Sequence, residues 1–589
     1  MSEQNFLQRL KQRKLVQWSV AYVAAAFALL QGIDIVAQRF GWPEQTMRLV
    51  IVTLSIGLFV TLVLAWYHGE RGAQRISGTE LVIIGLVLAV GGGVLWRFSA
   101  ASHETKETVA TVPNENKPTP TSIIPEKSIA VLPFENLSDD KSNSYFSDGI
   151  TEEILNALAQ IPDLKVAARR SAFQLKGSDL DVRKIGQLLG VAHILEGSLQ
   201  KVNDQVRITV QLVDVQNGLQ AWSEKYDRKL DNVFALEDEI AKAIATKLRV
   251  QLTGGAGQEL VSGGTSNPRA HELYLRGLTL LSARGPGMSE AAKDFQEATD
   301  LDATYARAWG ALAVTESLLP AYGFETLDTA LARADAFARR ALSLDRNIAS
   351  AYVAIGIVNT FHCRWPEADE AFRQALLLAP GDAEAVNQYA QFLATAGQLE
   401  PALTQIERAQ ELDPLSPIIS VIHAGTLLSL RRDKEAAAQI KSLLAAHPDF
   451  PPARAVSSAL YIREKMYPEA EREMRAWATL QKQDPDAKGL LVRGMADPAQ
   501  RATAITTLDT SPDNADLRSD PLWYASYLVW LGERDRALDQ LETYAAKHNS
   551  SFGASIWDRA FDPLHNEPRF KAVLAKLALP YKPPSAPNS

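Results

Sequence analysis

The sequence predicts a multi-domain chain: N-terminal transmembrane helices, then a small α/β domain, then an all-α repeat solenoid. Three observations carry this. Apolar runs of helix length crowd the first 100 residues, a stretch of strand and amphipathic-helix patterns follows, and from about residue 269 alanines recur at a fixed interval. At 589 residues the chain also exceeds what a single hydrophobic core sustains.

A membrane anchor is read over 1–99, with helices at 16–37, 49–67 and 80–97, each near the length that crosses about 30 Å of hydrocarbon. The second, LVIVTLSIGLFVTLVLAW, carries no charge. The first holds Gln31 and Asp34; Asp34 falls near the end of its segment and reads as an interfacial carboxylate, not an ion relay. Arg9, Lys11, Arg13 and Lys14 precede the first helix, and Arg71 and Arg75 lie between the second and third. Arg39, Arg48 and Arg97 stand on the other side. That bias orients the N-terminus to the cytoplasm of a bacterial inner membrane, and three crossings then put everything after residue 100 in the periplasm. The lipid bilayer is thus one expected partner. If the first segment did not span, the remainder would stay cytoplasmic. No small-x-small cleavage site follows a short apolar stretch, so the segments read as anchors. Residues 100–126, rich in Thr, Pro, Glu and Asn and without Phe, Tyr or Trp, are expected to form a disordered tether.

The α/β domain is read over 127–252. SIAVLPF fits a buried strand, and SDGITEEILNALAQI fits a helix whose Thr151, followed by Glu152 and Glu153, caps an acidic first turn. LKVAARRSAFQLKG reads as a second strand and DVRKIGQLLG as a helix closed by Gly190. In the next stretch Val206, Ile208, Val210 and Leu212 alternate with Arg207, Thr209 and Gln211, the pattern of a half-buried antiparallel strand. NVFALEDEIAKAIATKLRVQL closes the domain as an amphipathic helix built on Phe234, Ile240, Ile244 and Leu248. In combination, SIAVLPFENLS, YFSDGITEEILNALAQI, GVAHILEGSLQKVNDQVRITVQLVD and AWSEKYDR resemble the TolB amino-terminal-like domain, related to the FlgO and CsgG type of envelope domain. The resemblance implies a domain that follows a membrane anchor and precedes tetratricopeptide repeats. Fused relatives carry a winged-helix DNA-binding or adenylate cyclase domain at the N-terminus. Only about 15 residues precede the first apolar segment here, so neither domain, and no cyclase activity, is expected.

Chemistry is sparse. Asp139, Asp140, Asp148, Glu152 and Glu153 fall in a turn and on a helix start, where acids are favoured without any catalytic role. His193 stands without a second ligand at metal spacing. No phosphate loop, G-x-S-x-G or H-E-x-x-H occurs. A net charge of -8 argues against nucleic-acid binding, and the single Cys363 excludes an intramolecular disulfide framework. No catalytic residue, cofactor or metal is expected, and the chain reads as non-enzymatic.

A flexible joint at 253–268 leads into an array over 269–580, with a disordered tail at 581–589. Ala334, Ala368, Ala402, Ala436 and Ala470 are spaced by 34, as are Pro380, Pro414 and Pro448. This is the tetratricopeptide period, and segments such as NQYAQFLATAGQLEPALTQIERAQELDP resemble that family. Small alanines let paired helices approach and proline ends the second helix, giving about seven or eight units. A step of 43 from Ala291 to Ala334 implies an insertion near PAYGFETLD, and WDRAFDPLHNEPRFKAVLAKLALP is expected to cap the open end. By the geometry of the family the first helix of each unit lines a groove, which nominates Val353, Ile357, Asn387, Gln391 and Val421 for protein or peptide partners. His362 and Cys363 beside Trp365 read as packing at a helix junction. The function that follows is an interaction scaffold or adaptor of the bacterial envelope. The alternative is a sensor subunit whose α/β domain binds a small ligand and signals to a separate effector.

Overall fold

Strand β1 (Ser128–Val131) lies inside a mixed sheet in the computed structural model, which describes residues 124–138, 144–161, 163–178, 180–202, 205–229, 233–248, 264–322, 324–547 and 555–579. The three membrane segments, the tether up to residue 123, most of the joint, Asp139, Asp140 and the 581–589 tail lie outside the described residues. No described helix is long and apolar enough to cross a membrane.

The sheet contains β2 (Glu135–Asn136), β3 (Lys165–Val166), β4 (His193–Val202), β5 (Gln205–Asp214) and β6 (Gln220–Lys229) in the order β3-β1-β4-β5-β6, with β2 also paired to β4. β1 runs parallel to β3 and β4, while β4, β5 and β6 form an antiparallel meander. Val206, Ile208, Val210 and Leu212 are buried, as their alternation predicts. The helices of this part are α1 (Ser144–Ala159), α2 (Arg169–Gln174), α3 (Val182–Leu189) and α4 (Val233–Lys247). Gly190 closes α3 with φ 62° and ψ 41°, the left-handed geometry that glycine adopts without a Cβ penalty. Ile129 and Val131 join the core shared with α1 and α4, whereas Ala130 turns to a second layer with Ile185 and Leu189 of α3. Of the last helix, Ile240 and Ile244 are buried; the Phe234 side chain lies outside the described residues.

Two local readings change. Thr151 is not a cap, because α1 begins two turns earlier. Its hydroxyl donates back to the Ser147 carbonyl at 2.7 Å and accepts from the Phe134 backbone N–H at 3.1 Å. The second strand is only two residues long; Arg169–Gln174, rich in good helix formers, turns into α2 instead.

Eight antiparallel helix pairs follow among the described residues. They are α5 (Pro268–Ala283) with α6 (Met288–Leu301), α7 (Ala306–Leu318) with α8 (Leu327–Leu344), and α9 (Ala349–Phe361) with α10 (Trp365–Leu378). Next come α11 (Ala383–Thr395) with α12 (Leu399–Leu412), α13 (Pro417–Ser429) with α14 (Asp433–Ala446), and α15 (Pro451–Arg463) with α16 (Tyr467–Leu480). Then α17 (Pro485–Ala496) pairs with α18 (Pro498–Thr510) and, after the short α19 (Ala515–Ser519), α20 (Pro521–Trp530) pairs with α21 (Arg534–Lys547). A final helix, α22 (Pro568–Lys576), comes after a 3₁₀ segment at Arg559–Leu564. The inserted residues form a 3₁₀ turn at Leu319–Tyr322 and lengthen α8 to 18 residues.

Ala334, Ala368, Ala402, Ala436 and Ala470 have no exposed surface, and Pro380, Pro414 and Pro448 each stand two residues past the end of a second helix. Close approach goes further at Gly356, where a Cβ would lie 2.7 Å from the Phe372 ring. The turn inside each central pair repeats as well: Cys363, Gly397, Arg431 and Lys465 all have positive φ, between 53° and 79°. Only one of these four is glycine, so the other turns carry the steric cost of the left-handed region. Replacing the exposed Lys465 by glycine is therefore expected to stabilise the fold by up to about 1 kcal/mol, whereas Gly356→Ala costs about 1–3 kcal/mol by overpacking against Phe372. Thermal unfolding midpoints that move up and down respectively check both.

Candidate protein interface

The α/β part is seated on the first half of the array. α1 lies on α5 so closely that a Cβ at Gly149 would come within 2.5 Å of the Leu275 Cβ. Backbone groups bridge the two parts directly: Gly381 N–H donates to the Ala159 carbonyl at 3.0 Å, and Ala168 N–H to the Leu412 carbonyl at 2.6 Å. Ser171, at the start of α2, donates from both its backbone N–H (3.0 Å) and its hydroxyl (2.5 Å) to Asp413, and its hydroxyl accepts from Leu415 N–H at 2.8 Å. Buried side chains of the sheet, α1, α5, α7, α9 and α11 form one continuous apolar cluster.

Charges line this seam. Glu153 is fully buried in α1 and pairs with Arg307 of α7; burial pushes the Arg307 guanidinium down to about 10. Glu152 meets Arg169 at 2.9 Å and the Ser282 hydroxyl at 3.3 Å, and burial raises its carboxyl because the neighbouring arginine only partly compensates. Glu384 of α11 sits between Arg284 (2.7 Å) and Arg170 (3.3 Å). Burial alone would raise Glu384, but the two guanidiniums outweigh it and hold the carboxyl at about 2. Burial raises Asp413 as well, although Ser171 donates to it.

A second surface runs along the turns of the central pairs, where residues 555–579 return across them. Trp557 Nε1 donates to the Thr395 carbonyl at 3.0 Å and Trp365 Nε1 to the Leu577 carbonyl at 2.8 Å. Arg463 pairs with Asp558, Arg431 with Asp562, and Arg559 with Asp433. Trp557, Phe561, Leu564 and Phe570 are fully buried. The segment covers the last helix pair, as its apolar residues predict, and it also reaches back to α10, which they do not reveal.

No family model matches the chain. A putative adenylate cyclase 3 of Rhizobium meliloti (strain 1021) is 32% identical over 280 residues, 47% of this chain and 47% of that protein. The transcriptional regulator HilA of Salmonella typhimurium is 31% identical over 143 residues, 24% of this chain and 26% of that one. The chain thus matches about half the length of the first relative and a quarter of the second. Among solved structures, PilF of Pseudomonas aeruginosa overlaps 36% of this chain and 97% of its own, with 22% identity and a TM-score of 0.29. Yeast Tom70 overlaps 55% of this chain and 68% of its own, with 15% identity and a TM-score of 0.33.

The groove residues nominated from sequence divide by exposure. Val353, Ile357 and Asn387 are buried and present almost no surface, while Gln391 and Val421 are half-buried. Asp148 pairs with Lys176 at 2.6 Å, and His193 Nδ1 lies 3.2 Å from the Ser128 carbonyl oxygen. Cys363 is a turn residue whose thiol burial pushes up to about 11, so it is held as thiol and not thiolate. Sequence reading missed Arg307, Glu384, Arg431 and Arg463. The one available signal was the 34-residue step from Arg431 to Lys465, which marks a repeated turn.

Breaking the Glu153–Arg307 pair by Arg307→Met leaves a buried carboxylate alone and is expected to cost about 3–5 kcal/mol, most of it recovered by adding Glu153→Leu. A double-mutant cycle in urea checks this; a small single-site cost would contradict it. Glu384 has its folded pKa depressed, so its contribution is full above its ordinary value of 4.5 and is lost as pH falls towards about 2. The stability difference between the native chain and Glu384→Gln should accordingly shrink across that window.

Proposed function

We propose that the chain is a membrane-anchored, non-enzymatic scaffold of the bacterial envelope whose repeat array binds protein or peptide partners. The observation that carries this reading is the seam. Side chains and backbone from α5, α7, α11 and the α12–α13 junction converge on one folded domain, which is what a surface for protein ligands does. Partner contact is proposed at the half-buried Gln391 and Val421. Val353, Ile357 and Asn387 then support them from within. The TolB-like character of residues 127–252, the three membrane helices and the periplasmic side belong to the same proposal, supported by the sequence patterns. A second reading, a sensor subunit whose α/β domain binds a small ligand, is favoured by the partial similarity to a putative adenylate cyclase.

A photoreactive residue at Gln391 or Val421 of the full chain, activated in cells, is expected to yield discrete adducts with other proteins. Adducts confined to this chain's own residues 127–252 would reject the scaffold. For topology, phosphatase and fluorescent-protein fusions after Glu104 should give an active phosphatase and a dark fluorophore; the reverse would leave the array cytoplasmic.

A further inference from the structure

We infer that the turn track bearing Arg431 and Arg463 is a docking site for a linear peptide segment of a partner protein that presents an aromatic residue followed by paired carboxylates, with the chain's own residues 555–579 as its resident occupant. The inference rests on the scaffold reading and names the partner class.

The segment is held as a peptide ligand is held. It contacts the turns of four successive helix pairs through Trp557, Asp558, Asp562 and the Leu577 carbonyl. Two of its three acids, Asp558 and Asp562, four positions apart, meet Arg463 and Arg431 at consecutive turns of the array, and between them Arg559 meets Asp433 in the reverse polarity. The spacing of these two carboxylates fits the placement of Arg431 in one turn and Arg463 at the end of α15 beside the next, and this is the arrangement a partner must reproduce.

The arginines carry more donor capacity than the resident segment uses. Arg431 and Arg463 are 7% and 5% exposed. Even so, Nε of Arg431 and both Nε and Nη1 of Arg463 have no hydrogen-bond acceptor among the described residues. Buried guanidinium donors left in this state are costly, and a ligand with better placed carboxylates relieves that cost. The resident acids are also divided in their attachment. Asp562 lies 3.8 Å from both Arg559 and His565 of its own segment while it pairs with Arg431.

The buried aromatic residues hold the segment over the last helix pair, whereas the desolvated ion pairs contribute specificity more than stability. The aromatic residues of the segment supply area, and the acids choose the site. A partner of the same chemistry, aromatic followed by acids at this spacing, competes for the track.

The test uses the full chain and a fluorescent synthetic peptide with the sequence of residues 555–579, followed by polarisation. Asp558→Asn/Asp562→Asn loosens the resident segment without altering the track. The expected result is at least tenfold tighter peptide binding than to the native chain, with the gain removed when Arg463→Gln is added. Hydrogen exchange over 557–577 reports whether the segment is released. No gain with the segment released means that the track has no affinity for such peptides, and no gain with the segment still protected means that its acids do not hold it; either overturns the proposal. If the double variant loses protection across α9–α12, Asp562→Asn alone carries the same comparison. Peptide binding indifferent to Arg463→Gln, alongside partner adducts at Gln391, would sink this inference and leave the scaffold reading standing.

Discussion

A helix pair with one apolar stripe cannot bury it alone, so a stacked array depends on whatever covers its two ends and its open edges. Here the cover comes from the same chain. At the first pair, α1 lies on α5, with Gly149 pressed against Leu275. At the last, Phe561, Phe570 and Leu577 close over the core that contains Leu528 and Leu541. The α/β part is thus a structural end-piece of the solenoid as well as a domain in its own right. One apolar cluster runs from Ile129 in the sheet to Ala402 in α12.

Apolar contact alone would not say where on a periodic surface the end-piece should sit. Repeats offer nearly the same face every 34 residues, and a shift by one unit would cost little hydrophobic area. The charged groups break that degeneracy. Glu384 between Arg170 and Arg284, Glu153 with Arg307, and Asp413 with Ser171 can be satisfied together in only one register. Buried ion pairs serve this purpose better than they serve stability.

What could be read from residues alone follows the range of the interactions. The 34-residue period, the β5 alternation and the Gly190 stop depend on neighbours close in sequence, and they appear in the structure. Thr151 was misread because a β-branched hydroxyl ahead of two glutamates looks like a cap, and only the chain before it shows that the helix has already begun. Glu153 and Arg307 look like solvated charges; their burial is created by a domain contact across more than a hundred residues. Arg431 and Arg463 are similar. A lone arginine near a repeat turn gives no hint that Asp562 and Asp558 will come back to it.

The long-range contacts also set a timetable for synthesis. Ser171 and Asp413 are 242 residues apart, and Trp365 and Leu577 are 212 apart. At translation rates of about 5–20 residues per second, α2 waits on the order of ten to fifty seconds for the turn that holds it. Arg307 follows Glu153 by 154 residues, so for on the order of ten to thirty seconds the seat-facing side of α1 and its Glu153 carboxylate meet water, where an ionised acid is at no disadvantage. The charge that looks expensive inside the finished molecule keeps the waiting surface soluble until α7 delivers Arg307.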